Sequence, residues 1–260
     1  MDFTLTIYKT LLASLQSAGY VFFTFEEYLK KEEEAAQFVI LRHDIDAKAG
    51  NALAVAEVEA ALGIRASYYF RIVPESNQPE IIKQIAILGH EIGYHYEDLS
   101  LSRGDMQEGL KLFKEHLEYF RQFYPVKTIC MHGSPRSPYD SKDLWNVYNY
   151  KDFGILGEPY FDIDFSRLFY LTDTGRRWDG YKVSVRDKIP QHQERWIQEG
   201  KVYHNTQDIL HALTTHQFPS QLMLTTHPQR WTNNKLQWGK ELLLQNAKNI
   251  IKGMLIRRKL

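Results

Sequence analysis

The sequence predicts an α/β fold, specifically a distorted (β/α) barrel of seven or eight strands. Short apolar runs alternate with amphipathic segments along the chain, which is typical of a parallel sheet covered by helices. The alternation recurs roughly seven or eight times in 260 residues, which favours a closed or distorted barrel over an open doubly wound sheet. No internal repeat and no linker-like segment divides the chain. We therefore expect one domain over residues 1–260, with an N-terminal helical extension over about 1–36.

The elements follow from apolar spacing and from helix-ending glycines. Leu5, Tyr8, Leu11, Leu12 and Leu15 recur at helical spacing before Gly19, which predicts a first helix over about 3–18. The strands are expected at 37–42, 66–71, around 92, 128–131, 153–156, 168–171, 181–185 and 221–226. The later helices are expected at 50–62, 79–88, 104–123, 141–149, 206–214 and 234–258.

Composition narrows the class of protein and of partner. Lys plus Arg and Asp plus Glu both number 32, so net charge gives no reason to expect a nucleic-acid partner. The single cysteine, Cys130, allows no disulfide and no cysteine-type zinc site within one chain. No run approaches the roughly 18 apolar residues of a membrane span, and no signal peptide is recognisable. We expect a cytoplasmic protein without membrane insertion.

Polar clusters follow four of the predicted strands directly. They are His-Asp-Ile-Asp at 43–46, the stretch 90–98, His-Gly-Ser-Pro at 132–135 and Thr-His-Pro at 226–228. Because sites in parallel α/β folds gather at the carboxyl ends of strands, we expect these clusters to meet on one rim.

Asp44 and Asp46 are two residues apart, so a continued strand places both carboxylates on one face. Two neighbouring carboxylates repel each other unless a cation or a proton lies between them. A divalent cation bound by one would leave the other free to act as a general base. The alternative is that they cap the following helix or pair with Arg42.

Three histidines are the candidate partners of this pair. His95, nearer to the loop than His90, is the better candidate ligand. His132 is a candidate third ligand or a donor to an oxyanion, and His227 is a candidate general acid toward the leaving group. Each could instead be a hydrogen-bonded loop histidine.

The sequence gives weaker indications of which residues contact a substrate. Asp173 opens a segment, 173–179, that is rich in groups able to bind sugars and is equally compatible with an ordinary loop. Trp231 lies close behind His227, and it is the tryptophan that we expect near a substrate.

At these residues the sequence resembles the polysaccharide deacetylases of carbohydrate esterase family 4, in a divergent bacterial branch with an Arg-His-Asp-Ile-Asp start. The matching text is LRHDID, GIRASYYFRI, GHEIGYHYEDL, MHGSP and LTTHPQRW, over about residues 37–231. The resemblance implies a distorted (β/α) barrel and removal of an acetyl group from a sugar with the help of a divalent metal, often zinc.

The resemblance also implies roles for individual residues. Asp44 matches the family's catalytic base, Asp46 its metal-binding aspartate, His95 its first metal histidine and His227 its acid. Leu99 stands where the family has its second metal histidine and cannot bind metal, so His132, Glu97 or Asp98 must substitute; we expect His132. Arg136 loosely matches a substrate-binding arginine of the family.

The sequence therefore predicts a zinc-dependent deacetylase acting on an N-acetylated sugar or a polysaccharide precursor. Two alternatives stay open. One is a carbohydrate-binding relative that has lost its metal and its activity, and the other is an amidohydrolase whose amide substrate contains no sugar.

Overall fold

Seven parallel strands form one sheet in the computed structural model, which describes residues 1–30, 35–133, 137–178 and 187–257 (the last eight without side chains). The strands are β1 (Val21–Phe23), β2 (Phe38–Ile45), β3 (Ser67–Phe70), β4 (Glu91–Tyr96), β5 (Ile129–Met131), β6 (Phe169–Thr172) and β7 (Gln221–Thr226). Their order is β5-β4-β3-β2-β7-β6, and β1 also pairs with β2.

Ten α-helices accompany the strands in the described residues. They are α1 (Leu5–Ser17), α2 (Phe25–Lys30), α3 (Ala49–Ala60), α4 (Pro79–Ile87), α5 (Asp98–Leu101), α6 (Met106–Arg121), α7 (Pro159–Asp162), α8 (Pro190–Gln198), α9 (Thr206–Thr214) and α10 (Lys235–Arg257). Among these residues we find no helix with the length and apolar character that a bilayer crossing requires.

Strand β2 lies at the centre of the sheet, and each of its eight residues is buried. Strand β7 runs along one side of it, while β1 and β3 divide the other side, pairing with Phe38–Ile40 and Arg42–Ile45. No ladder joins β5 to β6 within the described residues, so the sheet is an incomplete, distorted barrel. The predicted α/β class and strand number are confirmed.

Four of the predicted elements agree closely with the structure. Helix α9 and strand β7 have the predicted bounds, and α6 and α10 differ from them by one or two residues at each end. Predicted helix 141–149 is instead a 3-10 helix over Ser141–Asn146, and 153–156 forms no strand. The strand expected at 181–185 lies outside the described residues.

The elements that the sequence pattern missed are short or contain few apolar residues. They are β1, α2, α5, α7 and α8, four of which have six residues or fewer. Strand β1 lies within the segment 1–36 that we expected to be helical, and it joins the sheet through three pairs with β2. Three residues are too few to display the alternation on which strand prediction depends.

Glu158 is a fully buried carboxyl group that precedes α7. Its oxygens accept hydrogen bonds from the backbone N–H groups of Met131, at 3.0 Å, and Tyr160, at 2.5 Å. Burial raises the pKa of Glu158 from 4.5 to about 7, against the lowering effect of these two donors. Glu158 thus ties the start of α7 to the end of β5.

We expect this carboxyl group to make folding stability depend on pH. Because its pKa is higher in the folded chain, its contribution is complete below pH 4.5 and is lost as the pH rises through about 7. The shift corresponds to about 3 kcal/mol. Urea unfolding at pH 5 and pH 8 should show that wild type loses most of this amount relative to Glu158→Gln, with exposed Glu194→Gln as the control. Equal pH dependence of wild type and Glu158→Gln would contradict the assignment.

Candidate metal and catalytic centre

Three histidines converge on the carboxylate of Asp46 at the carboxyl ends of β4, β5 and β7. The Nε2 atoms of His95 and His132 lie 3.6 and 3.5 Å from Asp46 Oδ1, and His227 Nε2 lies 3.9 Å from Oδ2. These separations are too long for hydrogen bonds. They are close to the distance of about 3.4 Å between two ligands of one tetrahedral zinc ion.

Each of the three imidazoles is held through its other ring nitrogen. Nδ1 of His95 lies 2.9 Å from the Cys130 carbonyl oxygen, Nδ1 of His132 lies 2.8 Å from Glu97 Oε2, and Nδ1 of His227 lies 2.7 Å from Asp173 Oδ1. Each acceptor calls for a proton on Nδ1, so in a neutral ring Nε2 presents its lone pair toward Asp46. Metal-binding histidines are usually oriented in this manner.

Glu97, in turn, is fixed by an arginine from the neighbouring strand end. Arg71 donates to Glu97 from Nε at 2.9 Å and from Nη2 at 2.7 Å, and its Nη1 donates to the backbone oxygen of Asp46 at 3.2 Å. Burial alone would raise the pKa of Glu97, but His132 and Arg71 lower it below the usual value. Glu97 therefore remains an ionised acceptor for His132.

Asp44 is buried and bound at both oxygens by Arg42, its neighbour two residues earlier on the same face of β2. Arg42 donates from Nε to Oδ1 at 2.8 Å and from Nη2 to Oδ2 at 2.6 Å. Burial raises the pKa of Asp44, but Arg42 and His95 lower it by more than burial raises it, so the net shift is downward. The carboxylate is thus ionised, and its Oδ2 lies 3.8 Å from His95 Nε2.

The pKa of Asp46 depends on the three histidines around it. Burial would raise this pKa, but His95, His132 and His227 hold it well below the usual value. The backbone N–H of Asp46 donates to the backbone carbonyl oxygen of Asp44 at 3.1 Å, just after β2 ends at Ile45. This turn brings both carboxylates close to His95, although Asp46 itself lies beyond the strand.

Asp173 and Trp231, which we expected to contact substrate, contact each other, and Asp173 also contacts His227. Asp173 is fully buried and accepts from Trp231 Nε1 at 2.7 Å, from the His227 backbone at 3.0 Å and from Arg230. Burial raises the pKa of Asp173, whereas Arg230 and His227 lower it to about 2. This arrangement favours a role in orienting His227 over direct contact with a substrate.

The same network affects the acid–base character of His227. Burial and Arg230 lower the pKa of His227, but Asp173 and Asp46 raise it by a larger amount. The pKa of His227 therefore lies above its ordinary value. A raised pKa favours the protonated imidazole, which is the form in which a histidine acts as a general acid.

His43 and His90 face away from this centre, although they belong to the two segments that meet there. His43 Nε2 lies 2.7 Å from Glu59 Oε1 and its Nδ1 lies 2.7 Å from Thr226 Oγ1. His90 Nδ1 lies 3.6 Å from Glu59 Oε2. Glu59 also accepts from Tyr8 and Tyr68, so this buried network joins α1 and α3 to the sheet.

The residues weighed as substitutes for Leu99 are separated by the structure. Leu99 is buried in α5, and Asp98 accepts from Tyr94 and binds His116, away from Asp46. Glu97 binds His132 through Nδ1, and His132 Nε2 lies 3.5 Å from Asp46 Oδ1. Of the three substitutes, His132 is therefore the one placed to share a metal with Asp46. Arg136 lies outside the described residues.

Two donor sets can be compared as metal ligands. Asp44, His95 and Cys130 offer ligand atoms that all lie within 4.8 Å of one another. However, burial raises the pKa of the Cys130 thiol well above its usual value, and a thiol binds metal as the thiolate. Among the described residues only this first set meets that separation. Donor chemistry nevertheless favours Asp46, His95 and His132, because they offer an ionised carboxylate and two oriented imidazoles, which zinc accepts.

The alternative that the aspartates pair with Arg42 is observed for Asp44. Sequence reasoning missed two other residues that hold this centre together, Arg71 and Gln229. Gln229 Nε2 donates to Asp46 Oδ2 at 3.2 Å. The pairing of Arg42 with Asp44 agrees with their spacing on one strand face, whereas the contacts of Arg71 and Gln229 join distant parts of the chain.

Comparisons with known proteins give similarity in structure only. Neither a model of a known protein family nor a curated protein sequence matches this chain. The solved structures that it resembles include the wild-type CE4 family pseudoenzyme BA3943 from Bacillus anthracis, with 13% identity, a TM-score of 0.43 and coverage of 85% of this chain and 63% of that one. This chain therefore spans less than two thirds of that protein.

Two further solved structures are described as family 4 carbohydrate esterases. PdaA from Bacillus subtilis is 13% identical, with a TM-score of 0.42 and coverage of 92% of this chain and 84% of that one. An esterase from Bacillus anthracis is 12% identical, with a TM-score of 0.40 and coverage of 91% and 84%.

Proposed function

We propose that this protein is a metal-dependent hydrolase that removes the acetyl group from an N-acetylated sugar or polysaccharide precursor. The observation that carries the proposal is the convergence of three imidazole Nε2 atoms on Asp46, each imidazole held through Nδ1. In this proposal Asp46, His95 and His132 hold the cation, with zinc the expected ion. When bound, the ion supplies a Lewis acid that polarises the acyl carbonyl and acidifies water.

The remaining steps belong to the side chains. Asp44 accepts the proton of the attacking water, and Arg42 keeps its carboxylate ionised and fixed in orientation. His227 donates the proton at Nε2 to the departing amine, while Asp173 holds its Nδ1–H. The products are acetate and a free amine. The choice of an acetylated sugar as substrate rests on the motif resemblance.

The pairing of Asp44 with Arg42 also favours a second candidate, a carbohydrate-binding relative without activity. Both oxygens of Asp44 already accept from Arg42, and a carboxylate with a lowered pKa is a weaker base. This candidate binds sugar but releases no acetate.

Acetate release separates these candidates. Wild-type protein loaded with zinc should release acetate from N-acetylglucosamine oligomers, and prior treatment with a chelator should abolish release until zinc is restored. A simple N-acetyl amide without a sugar ring serves as the second substrate. Sugar binding without acetate release would support the inactive relative, and hydrolysis of the simple amide alone would support an amidohydrolase outside carbohydrate chemistry.

A further inference from the structure

Gln229 occupies the side of the Asp46 carboxylate that the two proposed metal-binding histidines leave free. His95 and His132 approach Oδ1, whereas the Gln229 amide donates to Oδ2 at 3.2 Å. The two oxygens of Asp46 are thus addressed by different partners.

The Gln229 side chain is nine-tenths buried, and no atom of the described residues forms a hydrogen bond with its Oε1. If the amide were turned over, Oε1 would take the place of Nε2, and two acceptors would face each other. Donation to Asp46 therefore determines the orientation of the amide, and the other end is left unpaired. A buried polar atom without a partner lowers the stability of the folded chain.

The loop around Gln229 is held independently of Asp46. Gln229 lies in a 3-10 helix, Pro228–Arg230, that follows His227. Asn51 Nδ2 donates to the backbone oxygens of Pro228 and Trp231 at 3.3 and 3.2 Å. Because these bonds fix the backbone, the Gln229 amide is not required to hold the loop in place.

We propose that Gln229 is a positioning residue that reserves Asp46 Oδ2, so that Asp46 binds the metal through Oδ1 alone. The proposal rests on the metal site proposed above. Carboxylates that bind metals are themselves usually hydrogen-bonded, and loss of such a partner typically weakens metal affinity 10- to 100-fold. The unpaired Oε1 of Gln229 lowers the stability of the fold, whereas the donated hydrogen bond fixes the orientation of the Asp46 carboxylate.

The test compares zinc affinity with the stability of the metal-free chain. Gln229→Met keeps the length of the side chain but removes both the donor and the unpaired acceptor. We expect about 10- to 100-fold weaker zinc binding in chelator competition. In the presence of chelator, the Tm of Gln229→Met should equal or exceed that of wild type. Gln229→Leu serves as a second variant.

Gln245→Met is the matched control, because Gln245 is also buried and its amide donates to Asn249 at 2.7 Å on α10. Its zinc affinity should remain that of wild type. Unchanged zinc affinity in Gln229→Met would overturn the inference and leave the proposed function intact, whether or not the Tm falls. If wild type itself binds no zinc, both the inference and the proposed function fail.

Discussion

Replacing Asp46 by asparagine is expected to abolish zinc binding and to lower acetate release by about 10³-fold or more. The amide lacks the charge that attracts a divalent cation, and metal assistance supplies several kcal/mol to hydrolysis. Metal content after dialysis and acetate release from an N-acetylated sugar are the two measurements. Exposed Asp143→Asn should leave both unchanged. An Asp46→Asn protein that retains zinc and activity would show that this carboxylate is not a ligand.

Replacing His227 by asparagine should give a different pattern, with zinc retained and acetate release lowered by about 10²- to 10⁴-fold. The reason is that His227 is proposed to protonate the leaving amine and not to bind metal. The rate at which this variant hydrolyses an aryl acetate should fall far less, because an aryloxide leaving group needs no proton. Loss of zinc from His227→Asn would instead make His227 a ligand. Equal losses on amide and aryl ester would contradict the acid role.

The sequence predicted that the side chains of the candidate site would lie close together, because strand ends are readable from apolar runs. Asp44, Asp46, His95, His132 and His227 each follow or end such a run, and parallel strands bring those ends to one rim. The structure places all five side chains near one another. Their chemical roles stay predictions.

The contacts that orient these side chains could not be read from the sequence. Arg71 reaches Glu97 and Gln229 reaches Asp46 only after β3 and β7 have taken their places in the sheet. Asp173 was expected at a surface that binds sugar, but it is buried behind His227. Composition identifies a polar loop, whereas burial depends on the packing of distant residues such as Trp231.

The central claim, that Asp46, His95 and His132 form a metal site, is tested most directly by a crystal of the zinc-loaded protein measured at the zinc absorption edge. We expect one anomalous peak at about 2.0–2.2 Å from Asp46 Oδ1, His95 Nε2 and His132 Nε2. A peak beside the Cys130 thiol, or no peak in this region, would contradict the account.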